Sequence, residues 1–144
     1  MKLYQIFAMA NLGDEKSLNH LIDMVRDGTL EDKRDAAFLL AGLDSDAANA
    51  QLEKLMETAD PFTAVAAAAA LVGHGHKKAY EFLLYTMKEG TPVVADEAER
   101  ALLVSQEKTI DEFLNSAIGK EKDVILKNRM QEILYKRAPN RDFR

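Results

Sequence analysis

A 31-residue register constrains this chain more than any other feature. Ala8, Leu39, Ala70 and Ala101 fall at that step, as do Met9, Leu40, Leu71 and Leu102. Leu21, Leu52, Leu83 and Leu114 form a third column, with Val25, Met56, Met87 and Ile118 beside it. Gly28, Ala59 and Gly90 stand at one phase, just before Thr29-Leu30, Asp60-Pro61 and Thr91-Pro92. Chance supplies one such column but not several in a common register. A period of 20–50 residues is the mark of stacked units that bury their apolar faces only against their neighbours. The pattern therefore predicts an all-α solenoid of four helix pairs, with a ninth, capping helix at the end.

The middle unit shows how a pair is built. Asp60 can cap the free amides of a first turn, and Pro61 stands where a missing N–H costs nothing. The run Ala64-Val65-Ala66-Ala67-Ala68-Ala69-Ala70 has high helix propensity, and Gly73 offers a stop. A helix faced with alanine fills no core alone but lets others approach closely, so it belongs in the middle of a stack.

The periodicity places the other helices in turn. The first pair occupies residues 1–27, with Leu3, Ile6, Phe7 and Ala10 inward on one helix and Leu18, Leu21, Ile22 and Val25 on the next. Thr29 with Asp32 reads as a capping box opening the second pair. Asp44-Ser45-Asp46 turns the chain into its partner. Lys77–Glu89 follows the alanine helix, and the fourth pair begins at Thr91-Pro92. Thr109, boxed by Glu112, opens its second helix, which Gly119 ends. The last helix, 121–137, is expected to bury Val124, Ile125, Met130, Ile133 and Leu134. One domain over 1–138 and a flexible tail over 139–144 are expected.

Composition narrows the function classes. The chain has no cysteine, so disulfides and thiolate metal sites are excluded. Residues 1–119 carry net −9 and residues 120–144 net +4, giving −5 overall. An acidic body disfavours nucleic acid, whose binding rests on clustered cations. No apolar run approaches the roughly 20 residues of a membrane span. A soluble, cytoplasmic protein is expected.

The phrase Arg34-Asp35-Ala36-Ala37-Phe38-Leu39-Leu40-Ala41-Gly42-Leu43, with the short helix pairs and the Pro-led first helices, resembles HEAT-like repeats. The likeness is to the short type named after phycobilisome lyases, whose first helix typically reads Val-Arg-x-Ala-Ala and then Leu-Gly. It covers residues 1–137 and implies a right-handed solenoid. The family's arginine position holds Arg34, but Val65 and Asp96 replace it in the next units, so no arginine ladder exists. The family mixes lyase subunits, scaffolds and regulators. Some HEAT-like enzymes hold two irons through His-Glu dipeptides, which this chain lacks.

Motifs for chemistry are sparse. His74 and His76 flank Gly75, but two imidazoles need a third ligand to hold a metal, and a polar turn explains them. Asp44-Ser45-Asp46 opens like a calcium loop without the glycine and glutamate such a loop requires. Adjacent carboxylates such as Asp96, Glu97 and Glu99 diverge around a helix instead of facing across a cleft. No phosphate loop or nucleophile motif is present. No cofactor and no catalytic residue are assigned.

The functional reading rests on the second helices, expected to line the concave face. A column pair there runs through Leu18 and Ile22, Asn49 and Glu53, Tyr80 and Leu84, and Asp111 and Asn115, with Tyr85 alongside. Asn49, Glu53, Tyr80, Leu84, Tyr85, Asp111 and Asn115 are the expected contact residues for a protein or peptide partner. The competing reading makes Leu18, Ile22, Tyr80 and Leu84 core. The expected function is a non-catalytic scaffold, adaptor or regulatory subunit; the alternative, implied by the resemblance, is a subunit of a bilin lyase.

Overall fold

A computed structural model describes residues 2–43 and 45–138. The expected tail at 139–144 and Asp44 of the Asp44-Ser45-Asp46 turn lie outside the described residues. Those residues form nine α-helices: α1 (Leu3–Asn11), α2 (Glu15–Asp27), α3 (Leu30–Ala41), α4 (Asp46–Thr58), α5 (Pro61–Val72), α6 (Lys77–Glu89), α7 (Pro92–Val104), α8 (Thr109–Lys120) and α9 (Val124–Arg137). The helix pairs and the capping helix predicted from the register are all present. Every member of the Leu21, Leu52, Leu83 and Leu114 column is fully buried, as are Leu40, Leu71 and Leu102. The register weakens at Ala8 and Met9, which are exposed, and at Leu39 and Ile118, which are only partly buried.

α5 is the hub, packed on α2, α3, α4, α6 and α7. Its cap is the one the sequence implies: Asp60 accepts from the Thr63 N–H, and Pro61 begins the helix. Hydrogen bonding from the Thr63 side chain, and to a lesser extent from the Thr63 amide, holds the Asp60 carboxyl below its ordinary value of 3.8, against the opposing effect of desolvation. A depressed folded-state pKa means stabilisation that is complete above the unfolded value and lost as pH falls through the folded one. Asp60→Ala should therefore cost about 1 kcal/mol at neutral pH. In melts at pH 7 and below pH 3, the gap between parent and variant should close in acid; a gap that persists there would rule the carboxylate cap out.

Gly73 stops α5 for a different reason from the expected one. Its φ of −62° lies in the ordinary helical region, so no left-handed cap is formed. A Cβ there would collide with the Cβ of Ala41, because the ends of α3 and α5 nearly touch. Positive φ is confined to the turn glycines Gly13 and Gly75, at 92° and 71°.

α5 is slim: its buried residues include Ala64, Ala66, Ala67, Ala68 and Ala70. Interaxial distance follows the side chains at the contact. Accordingly α5 packs closely on both α3 and α7, while α4, α6 and α8 are not in comparable contact with one another. Leucines are buried in both layers, Leu40, Leu71 and Leu102 in the first helices and Leu52, Leu83 and Leu114 in the second, so the alanines of α5 account for the close approach.

Three local expectations are corrected. α8 runs past Gly119 to Lys120, and α9 starts only at Val124, where Asp123 accepts from the Ile125 and Leu126 amides. α9 buries Leu126, Met130 and Ile133, which share one face, while Val124 and Ile125 point outward at 66% and 79% exposure. At the start of α8, Thr109 is the first helical residue and not the cap; its N–H and hydroxyl both go to Glu107 Oε1. The Thr29–Asp32 capping box on α3 is formed as expected.

Candidate functional site

A groove lies over α5, between α3 and α7. Its floor is the side of α5 that carries Phe62, Val65, Ala66, Ala69 and Gly73, all buried or half-buried. Leu30, Ala37, Phe38 and Leu39 of α3 form one wall, and Ala101 and Val104 of α7 the other. Phe7 of α1 also lines it. The enclosed volume is about 360 Å³, within the range that takes small organic ligands. Phe38 is 54% exposed and Val104 43%, so an apolar rim stands open to water.

An ion pair crosses the groove. The Arg34 guanidinium donates to both carboxylate oxygens of Glu97, the Nε contact being 3.2 Å, from helices separated by all of α5. In a flat layer two such helices would stand roughly 16–20 Å apart, twice the usual interaxial distance. The slim alanine helix between them helps the two side chains meet. Hydrogen bonding to Glu97 raises the Arg34 pKa, and partial burial opposes that rise.

The charged residues around the groove are mostly committed. Lys33, buried on α3, gives its ammonium to the Val25 and Arg26 carbonyls at 2.9 and 3.0 Å, capping the end of α2. A cation there meets the negative end of the helix dipole. Arg129 of α9 binds Asp96 and Glu99 of α7. Arg100 lines the groove and makes no hydrogen bond or ion pair among the described residues.

None of the seven expected contact residues lines this groove, whose lining comes from α1, α3, α5, α7 and the loop after α7. Tyr80 is core: it is 3% exposed, stacks on Phe113 with ring centroids 4.7 Å apart, and sets its hydroxyl 2.6 Å from Thr109 Oγ1. Burial pushes its phenol pKa up, partly offset by the Thr109 hydrogen bond. Ile22 is likewise buried, and Leu18 and Leu84 pack partly buried against the core. Asn49 is half-buried, with Oδ1 lacking a partner among the described residues. Glu53 accepts from His76 Nε2 at 2.8 Å, and His76 Nδ1 accepts from the Ala79 amide to cap α6. Asp111 accepts from Arg137. Tyr85 and Asn115 are exposed, Tyr85 at 65%.

His74 is tied to the Leu40 carbonyl at 3.0 Å, so the two turn histidines serve different helices. Among the described residues no three His, Asp or Glu side chains are grouped to hold a metal, and no helix is long and apolar enough to cross a membrane. The first-helix groove had one signal in the sequence: the alanine run of α5, which lets α3 and α7 approach it closely.

The fold and the groove define an all-helical, repeat-like protein with an apolar cleft on its first-helix face. Compared with protein-family models, curated proteins and solved structures, the chain matches none.

Proposed function

We propose that the chain is a non-catalytic binding module, a right-handed solenoid of short HEAT-like pairs that holds a protein or peptide partner along its first-helix groove. The observation that carries this reading is the open apolar rim: Leu30, Phe38 and Val104 stand exposed on facing helices beside the groove. Exposed apolar side chains that cluster around a concavity are the usual anchors of a protein contact. The site offers position and apolar area, without a nucleophile or a grouped acid and base.

The test is capture of partners from the source cell by the parent, by Phe38→Asp with Val104→Asp, and by Tyr85→Ala. Because both rim residues are exposed, the double variant should melt like the parent. Its capture of the parent's specific partner should fall by about thirtyfold, the equivalent of about 2 kcal/mol. Undiminished capture would sink the groove, and loss with Tyr85→Ala alone would move the contact to the second helices. The alternative from the resemblance, a bilin-lyase subunit, is separated by adding a free bilin. Only that reading predicts a shift in visible absorption.

A further inference from the structure

Large apolar side chains are exposed almost entirely on one layer of the fold. Of the eleven among the described residues, only Tyr85 lies on a second helix; the others belong to α1 and its turn, α3, α7 and α9. Phe62 of the groove floor, Val93 and Val124 fall 31 residues apart, so one apolar strip continues from α5 across α7 to α9. Charge around the groove is balanced. The groove and the shallow pocket beside it are lined by three cations, Lys33, Arg34 and Arg100, and three carboxylates, Asp35, Glu97 and Glu107. A net charge of −5 sets copies of the chain against one another, and a neutral apolar patch is where they can meet. Four of the six charges are engaged: Lys33 at the end of α2, Arg34 with Glu97, and Glu107 with Thr109. The two left are of opposite sign and stand on opposite walls, Asp35 on α3 and Arg100 on α7. Both are exposed and without a partner among the described residues.

We propose that this face pairs with the same face of a second copy of the chain, about a two-fold axis that runs over α5 and parallel to it. Such an axis lays α3 of each copy over α7 of the other. In the 31-residue register Asp35 is level with Glu97 and therefore about one turn from Arg100, within reach of a long side chain. The symmetry then makes the Asp35–Arg100 pair twice, once on each side of the axis. Phe38 and Val104 of both copies close over the groove between these pairs. The Arg34–Glu97 bridge favours this arrangement, since an inserted helix would have to break it and a copy resting on the rim leaves it whole. The face over α3, α5 and α7 is about 18 Å long and about 27 Å wide, so two copies bury roughly 1,000 Å², the size from which specific interfaces begin. The inference rests on the proposed function, whose groove it uses, and names the protein partner.

Sedimentation velocity on the full chain, from about 1 to about 200 µM, reads the association, and the parent is expected to dimerise within that range. Arg100→Asp and Asp35→Arg should each weaken the dimer by at least about tenfold, because each sets like charges opposite one another. Both residues are exposed, so melting should be unchanged. Mixed in equal amounts, the two variants should dimerise like the parent. Across the axis Asp35 of the first then meets Arg100 of the second, and the two substituted side chains meet each other with opposite charge. A parent that stays monomeric, a dimer indifferent to both reversals, or a mixture that stays monomeric overturns the proposal. If in that case Phe38→Asp with Val104→Asp still loses a captured protein, the groove serves a different partner and the proposed function stands. If that variant changes nothing either, the groove is not the working face.

Discussion

Replacing Arg137 by alanine is expected to lower the unfolding free energy by about 2–3 kcal/mol, because several part-buried acceptors lose their charged donor. Its side chain is 7% exposed and donates to four acceptors: the carbonyls of Leu102, Ser105 and Glu107, and the Asp111 carboxylate at 2.9 Å. Leu102 is among the last residues of α7, whose carbonyls have no partners within the helix. The guanidinium thus closes α7, shapes the 105–108 loop and ties α8 to α9. Arg137→Lys keeps the charge but not the fork, and should recover only part of the loss. Urea unfolding of both variants is the measurement. A change under about 0.5 kcal/mol for Arg137→Ala would show that these bonds are replaced by water at no cost.

The second large effect is expected at Tyr80. Truncation to alanine should cost about 3–5 kcal/mol, because it removes a buried ring and leaves a void against Phe113. Tyr80→Phe should cost about 1 kcal/mol, the value of its hydroxyl in a chain that runs through Thr109 to Glu107. That chain ends one backbone bond from Arg137, which binds the Glu107 carbonyl. The two sites should therefore be coupled, and the Tyr80→Ala, Arg137→Ala double variant should lose less than the sum of the singles. Thermal melts without any partner present decide this. A Tyr80→Ala protein that melts like the parent would return the ring to the surface.

Both residues show how reading a helix wheel stops short. Tyr80 shares its helix face with Leu84, and the wheel allows either surface or core. The stacking partner Phe113 lies 33 residues further on, in α8, a spacing the wheel does not contain. Arg137 sits in the net-positive segment and reads as solvated charge on a capping helix. Its acceptors are main-chain carbonyls, and no residue type announces a bare carbonyl.

The groove has the same origin. Periodicity says which residues of each helix point to neighbours, but not which layer leaves a cleft between them. Here the alanines of α5 let α3 and α7 approach over it. The residues that line the groove, Phe38, Phe62, Arg100 and Val104 among them, read singly as ordinary helix positions.

By itself the sequence determined what is local or repeated. The helix count, the caps at Thr29 and Asp60, the buried leucine column and the hub at α5 all follow from propensity, capping and a 31-residue period, each decided within one or two helices. Tertiary structure alone decided which helices enclose the groove, the Arg34–Glu97 bridge across α5, and the lysine and arginine that close distant helix ends. Each of these depends on where two separate helices meet, and that distance is set by the summed volume of every side chain packed between them.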